Sequence, residues 1–562
     1  MNRGGPAGHE RWAVVAVGGA ALSVLVTIAI GVLGPSAVVP PLPGPAWQPP
    51  YFLDIRPDGH LVIAMEAAAI ALGAAGLAGG LLAMRRGWAP DPRWTLLAGC
   101  LAAAVLAFLP PSGSADHLNY AAYGRMAVLG HDPYVLGANA LPGDPVAEAV
   151  ELPWEEEPSV YGPVATAVQA LAALAGGGSV RLTVFVLAAV NAAAFVATAW
   201  LLHRQARGDR PRQARAALLW AANPLVIYQL VAGMHVDTLA IALVVAALAA
   251  GASGRRWAAG PLLGLGIAVK ANAGLVALGP AWALRLRPRS LAVVAGTATA
   301  TVLAAYALAG PHALDPVLHA SKSISWATPW HLVQSGLQAL LGPGAYRVWI
   351  QLGSMALLVL LAVALARALR EPYGLTGGVP ARATGTPAEG GWWPALRAAF
   401  RPDAGDPPDA EHRSGAGGPP GAGRRFGGGN RPGAGRGPEA GNRPGGGFGP
   451  AAGAAAVAVA AWLFATPYAL PWYDGLAFAL LAALPASALD GFMVARLGVL
   501  SAAYLPARQE FQPDDLHHLL VMVLRSQVVP WILLALTAAL AWWALTSGAR
   551  GSTRRGSAAP PP

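Results

Sequence analysis

The sequence predicts an all-α, polytopic integral membrane protein of about 13 or 14 transmembrane helices, some of them short or re-entrant. Three observations carry that prediction. Hydrophobic residues make up 55% of the 562 and charged ones only 12%, and the mean hydropathy is +0.47, a balance too apolar for an ordinary soluble domain. Apolar runs of roughly 17 to 25 residues recur, each able to cross about 30 Å of bilayer hydrocarbon. The arginines behind the formal net charge of +10 sit chiefly in short connections between those runs and in one Gly/Pro-rich stretch. That placement speaks for membrane orientation and anionic lipid, not for nucleic acid. The single cysteine, Cys100, excludes an intramolecular disulfide and lies in an apolar run, where small-residue packing accounts for it.

A short basic N-terminus with Arg3 and Arg11 precedes an apolar run at about 12–33. This run is too long for a signal-peptide core and is expected to remain as the first helix. Residues 34–60 form a loop rich in proline and aromatics. A second span, about 61–84, returns to Arg85, Arg86 and Arg93, and a third, about 94–110, delivers residues 111–163. Basic residues in short connections mark the inner side, so the N-terminus and the 85–93 turn fall inside and the 111–163 loop outside. Residues 164–176 are apolar but short, which suits an interfacial or re-entrant helix. A span at about 180–202 leads to the arginine-rich stretch 203–215, the clearest inner signal in the chain. Spans at about 216–232 and 238–253 flank His235-Val236-Asp237. Residues 257–284 carry arginines at both ends and are expected to form a hairpin of two short helices meeting near Lys270, since broken helices are tolerated where buried or lining a wet cavity.

Further along, a span at about 290–308 leads to an outer segment, 309–345, and another at about 346–366 returns inside. Residues 371–450 are dominated by Gly, Pro and Arg, with Gly-Asn-Arg-Pro-Gly at 429–433 and again at 441–445. That composition buries too little apolar surface to offset its ordering entropy, so a disordered cytosolic linker is expected. Apolar segments follow at about 451–468, 474–487, 488–505 and 527–547, then a short basic tail. The expected organisation is thus a membrane region over 1–370, the linker over 371–450 and C-terminal membrane helices over 451–562. Both termini are expected on the cytosolic side of the plasma membrane.

Potentially reactive side chains concentrate between Asp116 and Pro163. A carboxylate beside a cavity between helices can accept a proton from an attacking hydroxyl. Asp116 follows closely on the third span and begins a segment, Asp116 to Ala127, that is expected to be helical; its bland alternative is a helix N-cap. Spacing places Tyr120 and Tyr123 on neighbouring faces, with Arg125 free to meet phosphate. His117 reads as a solvated interfacial histidine. Lys270, a lone lysine at membrane depth, is costly to bury and is read as functional. His235 and Asp237 stand at a helix end, where phosphate or sugar contact competes with capping. Glu155-Glu156-Glu157 is an acidic run that favours a solvated loop over a divalent cation site. Glu66 lies inside the second span, facing either a cavity or the outer interface. Trp326, Trp330, Trp472 and Tyr473 suit sugar stacking or an interfacial aromatic belt. No P-loop, Rossmann glycine pattern or metal-ligand cluster appears, so no cofactor or resident metal is expected and a nucleotide-sugar donor is disfavoured.

The order Asp116, Tyr120, Gly124, then His131-Asp132-Pro133-Tyr134, then Trp154 and Tyr161-Gly162-Pro163, resembles the polytopic glycosyltransferases of the GT-C type. Within them it resembles the actinobacterial polyprenol-phosphate-mannose-dependent α-1,6-mannosyltransferases. His235-Val236-Asp237, Lys270 and Pro471-Trp472-Tyr473 fit the same pattern. The resemblance covers roughly residues 90–350 well and 451–545 loosely. It implies a GT-C-like fold with an outer-face catalytic loop, a polyprenyl-phosphate-linked sugar as donor and a glycan or lipoglycan as acceptor. It implies Asp116 as general base, donor phosphate contacts from Lys270, His235 and Arg125, and substrate contacts from Tyr120, Trp154, Tyr161, Asp237 and Trp330. Asp116 lies in the second outer loop, whereas many GT-C enzymes carry the base in the first, so Asp54 and Asp58 stand as alternatives. Two other classes stay open: a lipid or lipid-linked-sugar flippase, which also needs many helices and intramembrane charge, and a catalytically silent relative that only binds lipid.

Overall fold

A computed structural model of the protein describes residues 7–375 and 449–556. Among them every regular element is helical, with 3-10 and π turns but no strand. Seven helices are long and apolar enough to cross a membrane: His9–Leu33, Gly59–Arg85, Val180–Gln205, Arg210–Ala232, Pro288–Ala309, Arg347–Ala368 and Asp514–Ser547. Six more apolar helices run 10–17 residues, Pro163–Gly176 and Arg256–Val269 among them. The fold class is the expected one. The full-length spans number seven among the described residues, and the six shorter helices bring the apolar helices to 13, within the expected 13 or 14. The linker expected at 371–450 lies almost wholly outside the described residues. Of its edges, Tyr373 is buried with its hydroxyl 3.0 Å from Ser487 Oγ, and Gly449 and Pro450 begin the helix Gly449–Ala465.

Local chemistry explains most boundaries. Asp58 caps Gly59–Arg85 through the amides of His60 and Leu61, and Asp91 caps Pro92–Ala107, with proline in its first turn. The span Arg210–Ala232 is broken at Pro224, which has no amide to continue the ladder. Asn223, fully buried, caps the new start through Leu225 and Val226 and gives its own amide to Leu219 O. Asn191 reaches Leu230 O from a neighbouring helix at 2.6 Å, so carbonyls freed by the break and by the flanking π turns regain donors. The first two long helices pack at backbone contact: a Cβ on Gly76 would sit 2.6 Å from the amide of Ala20. Small residues at that crossing are what allow the approach.

Three stretches depart from the expected pattern. The segment at 474–487 is a helix only over Asp474–Ala482, nine residues, because Pro485 disfavours helical geometry in the residue before it; it is too short to cross. The last span begins at Asp514 rather than near 527, with Pro513 before it and Asp514 and Asp515 suited to the first turn. Its Arg525 is buried and donates to Ala503 O and Pro506 O. The outer segment 309–345 contains the helix Pro329–Leu341.

Polar contacts sort the elements to two ends. At one, Arg85 donates to Ser487 O, Arg210 pairs with Asp91, and Arg215 makes a two-pronged pair with Asp490 at 2.8 and 2.9 Å. At the other, Gly113 N–H meets Val38 O, Ala507 N–H meets Gly113 O, and Arg508 pairs with Glu151. The hairpin of 257–284 opens toward the first end, where Arg256 and Arg289 line one cleft of about 580 Å³; its turn, at Lys270, lies among residues of the second. Arg215, the last residue of the arginine-rich inner stretch, is buried, also donating to Leu481 O and Leu484 O. Removing one partner of a buried pair strands the other charge, whereas replacing both with apolar groups does not. Arg215→Met is therefore expected to destabilise the fold by about 3–5 kcal/mol, seen as a lowered melting temperature in detergent, and adding Asp490→Leu should restore most of the loss.

Candidate active site

The helix Asp116–Val128 begins at the end of the Ser112–Ala115 turn. Asp116 does not cap it: Ala115 holds that position, and no side chain caps the helix. The Asp116 amide instead donates to Ser114 Oγ at 3.2 Å, and its carboxylate accepts from Tyr120 Oη at 3.3 Å, one turn along. The Asp116 side chain keeps 28% of its surface open, while the tyrosine beside it is buried. Burial raises the Asp116 carboxyl above its ordinary range, against the opposing field of Lys270 and the hydroxyls of Ser114, Tyr120 and Tyr161. Tyr161 meets Tyr120 edge to face, ring centroids 5.0 Å apart.

Tyr161 is brought there by backbone. Gly162 N–H donates to Val269 O at 2.9 Å, and a Cβ on Gly162 would lie 2.2 Å from Ala268 O, so only glycine permits the approach. The carbonyl it meets ends the helix Arg256–Val269. Lys270 then adopts extended backbone (φ −153°, ψ 123°) before a 3-10 turn over Ala271–Ala277. Its ammonium pairs with Asp237 Oδ2 at 2.6 Å, both side chains being largely buried. It also stands 4.5 Å from the ring centroid of Tyr473 and 5.7 Å from that of Tyr161, within cation–π range.

His235, 1% exposed, completes the group. Its Nδ1 lies 2.5 Å from Gln229 O and its Nε2 3.7 Å from Asp116 Oδ2. The Trp472 indole stacks on its ring at 3.7 Å between centroids and 14° between planes. Burial pushes its pKa down to about 4, against the Gln229 carbonyl and Asp237, which favour the charged ring; at neutral pH the ring is uncharged.

Of the residues singled out from sequence, the structure thus brings together Asp116, Tyr120, Tyr161, His235, Asp237 and Lys270, with Trp472 and Tyr473 packed on them. Arg125 stands away from them. It lies nine residues along the same helix, a rise of about 13 Å, and is committed to Asp144 at 2.7 Å. Trp154 is half exposed on a short 3-10 turn. Trp330 donates to Ala465 O at 2.7 Å and packs over Gly353, which fixes it between helices outside the cluster. Asp58 is spent as a helix cap, and Asp54 pairs with Arg56 in the open. His117, read as solvated, is fully buried, and neither ring nitrogen has a hydrogen-bond partner; burial beside Arg508 and His235 pushes its pKa down to about 3. Glu66 is fully buried against the Tyr228 hydroxyl. No group of three or more His, Cys, Asp or Glu side chains converges in metal-binding fashion among the described residues.

Sequence reasoning passed over Ser114, Glu151 and Arg508. For Arg508 a signal was present: an arginine at the expected outer end runs against the inward bias of basic residues and asks for a partner. The Glu151–Arg508 pair, with Arg508 also donating to Ser36 O, anchors the 111–163 loop against the C-terminal region.

These observations define a polytopic helical protein whose loop carboxylate, histidine and buried lysine meet among tyrosines. Residues 16–286 match the family model described as alpha-(1->6)-mannopyranosyltransferase, N-terminal domain, which bears out the resemblance where the two overlap and extends it toward the N-terminus. The chain is 29% identical over 170 residues to alpha-(1->6)-mannopyranosyltransferase A of Corynebacterium glutamicum, covering 30% of this chain and 34% of the relative. It is 28% identical over 146 residues to alpha-(1->6)-mannopyranosyltransferase B of the same organism, covering 26% of this chain and 24% of the relative. Against alpha-(1->6)-mannopyranosyltransferase A of Mycobacterium tuberculosis the identity is 27% over 233 residues, 39% of this chain and 45% of the relative. The chain therefore spans less than half the length of these curated relatives. No solved structure matches it.

The fit at Gly162 yields a direct check. Gly162→Ala should force the Tyr161 segment off the helix end and cost roughly 1–3 kcal/mol of stability, as overpacking does. Gly178→Ala, where a Cβ meets nothing within 4 Å, should leave the melting temperature unchanged.

Proposed function

We propose that this protein is a membrane mannosyltransferase. It moves mannose from a polyprenyl-phosphate donor to a glycan or lipoglycan acceptor on the extracytoplasmic face, with Asp116 as general base. The observation that carries the reading is the meeting of a partly open carboxylate, Asp116, with a buried ammonium, Lys270, whose field reaches it. The similarity of residues 16–286 to mannopyranosyltransferases supports the choice of sugar. The basic residues gathered at the opposite end support the sidedness.

In this reading the acceptor hydroxyl reaches Asp116 through its open face and gives up its proton as it attacks the anomeric carbon. The sugar–phosphate bond breaks with its electron pair left on the lipid phosphate. Lys270 faces that growing charge in a site shielded from bulk water, where a fixed cation is worth more to the transition state than to the ground state. Asp237 holds Lys270 in place and keeps its charge from being stranded. Tyr120 and Tyr161 wall the carboxylate, and Tyr161, the less buried of the two, offers its ring to a sugar. Arg125, tied to Asp144, takes no part in phosphate binding here.

The test is mannose transfer from polyprenyl-phosphate-mannose to an oligomannoside acceptor in reconstituted liposomes. Asp116→Asn keeps the shape but cannot take a proton, and is expected to slow transfer by on the order of 10²–10⁴ while the protein stays folded. Because the base must be ionised, wild-type kcat should fall as pH drops through the raised carboxyl pKa, placing the acid limb above the ordinary aspartate value of about 4. Lys270→Met should depress kcat at saturating donor more than it raises the donor KM. Lipid scrambling without sugar transfer by the wild type would replace the enzyme with a flippase.

A further inference from the structure

The geometry points to His235 as the second seat of the proton that Asp116 removes. We infer that Asp116 and His235 act as a dyad sharing one proton, with His235 serving as a positioning and proton-holding residue rather than as a ligand of the donor phosphate. The inference rests on the base role of Asp116 proposed above.

The argument starts from the carbonyl of Gln229. A carbonyl only accepts, so the Nδ1 that lies 2.5 Å from it carries the hydrogen. In an uncharged ring Nε2 is then a bare lone pair. That lone pair is fully buried and has no hydrogen-bond partner; the group it faces is Asp116 Oδ2 at 3.7 Å. Two acceptors facing each other across that gap repel until a proton lies between them. The ionised carboxylate and the neutral imidazole therefore form a pair that is short of one proton, and the acceptor hydroxyl supplies it. A ring with no hydrogen on Nε2 offers nothing to a phosphate oxygen, which removes the phosphate-binding role expected for His235.

The proton balance closes within the site. The acceptor O–H bond breaks as the new bond to the anomeric carbon forms, and the electron pair of the broken sugar–phosphate bond stays on the phosphate. The protonated carboxyl donates to His235 Nε2, and after product leaves the proton departs to solvent through the open part of the Asp116 side chain. Trp472 keeps this arrangement in register. Stacked on the imidazole at 3.7 Å and 5% exposed itself, it prevents the ring from tilting and keeps water off that face. The tryptophan lies beyond the matched residues 16–286, so the C-terminal helices help build the dyad.

The experiment is a double-mutant cycle on transfer kinetics with polyprenyl-phosphate-mannose. His235→Asn keeps an amide donor near the Nδ1 position for Gln229 O but has nothing at Nε2. It should lower kcat on the order of 10- to 100-fold with little change in donor KM. The double variant with Asp116→Asn should be no slower than Asp116→Asn alone, as for residues acting as a unit. A neutral acceptor stabilises the protonated carboxyl, so losing it should also move the acid limb of kcat to lower pH. The other titratable groups facing Asp116, namely Lys270, Tyr120, Tyr123, Tyr161, Tyr468 and Tyr473, are unchanged in the variant, and a merely structural role would not move that limb. If His235→Asn does not fold, His235→Phe, which keeps a flat ring against Trp472 but has no nitrogen or oxygen to face Asp116, carries the same measurements. Wild-type kcat in the variant, a raised donor KM with kcat intact, or multiplicative losses in the double variant would overturn the dyad. Full activity in Asp116→Asn would instead overturn the general-base reading, so the two failures are distinguishable.

Discussion

The constraint on which the site depends is the cost of burying the Lys270 charge. A largely buried ammonium persists only when paired and otherwise surrounded by groups that tolerate it. Asp237 supplies the pair at 2.6 Å, and the rings of Tyr473 and Tyr161 lie within cation–π reach. Each partner comes from a different part of the chain. Satisfying one charge therefore fixes the break after Val269, the start of the helix at Asp237, the Tyr161-Gly162-Pro163 segment and the Pro471–Tyr473 turn relative to one another. Asp116 and His235 are held in the frame these elements make.

The same logic recurs in other buried ion pairs. Arg215–Asp490 closes one end, Glu151–Arg508 the other, and Arg496–Asp474 lies within the C-terminal helices. Each arginine also reaches a backbone carbonyl: Leu481 and Leu484 for Arg215, Ser36 for Arg508, Leu463 for Arg496. Buried pairs of this kind add little net stability compared with apolar packing, but they discriminate strongly against arrangements that leave a charge alone. In helices with few polar side chains they choose the register in which segments distant in sequence dock.

Much of the layout was legible beforehand because hydropathy and chain punctuation act locally. The short helix Pro163–Gly176, the turn at Lys270 and the helix starting at Asp116 all follow from runs of apolar residues ended by proline, glycine or charge. The errors lie where such signals are silent. The 474–487 run looked like a span by composition, yet Pro485 shortens it. His117 reads as a solvated interfacial histidine, yet it turns inward and is fully buried.

The sequence alone determined the class of protein, the approximate helix order and the residue types able to carry proton transfer and charge stabilisation, because these depend on composition and near neighbours. Only the tertiary structure decided which of those residues meet. The long helices are apolar on nearly all sides, so no periodic polar stripe records which face turns inward. That His235 turns Nε2 toward Asp116 while Trp472 covers its ring, that Arg125 belongs to Asp144, and that Arg215 finds Asp490 are facts of helix rotation and docking. They are set by long-range packing and by the pairing of buried charge, neither of which leaves a mark in the local order of residues.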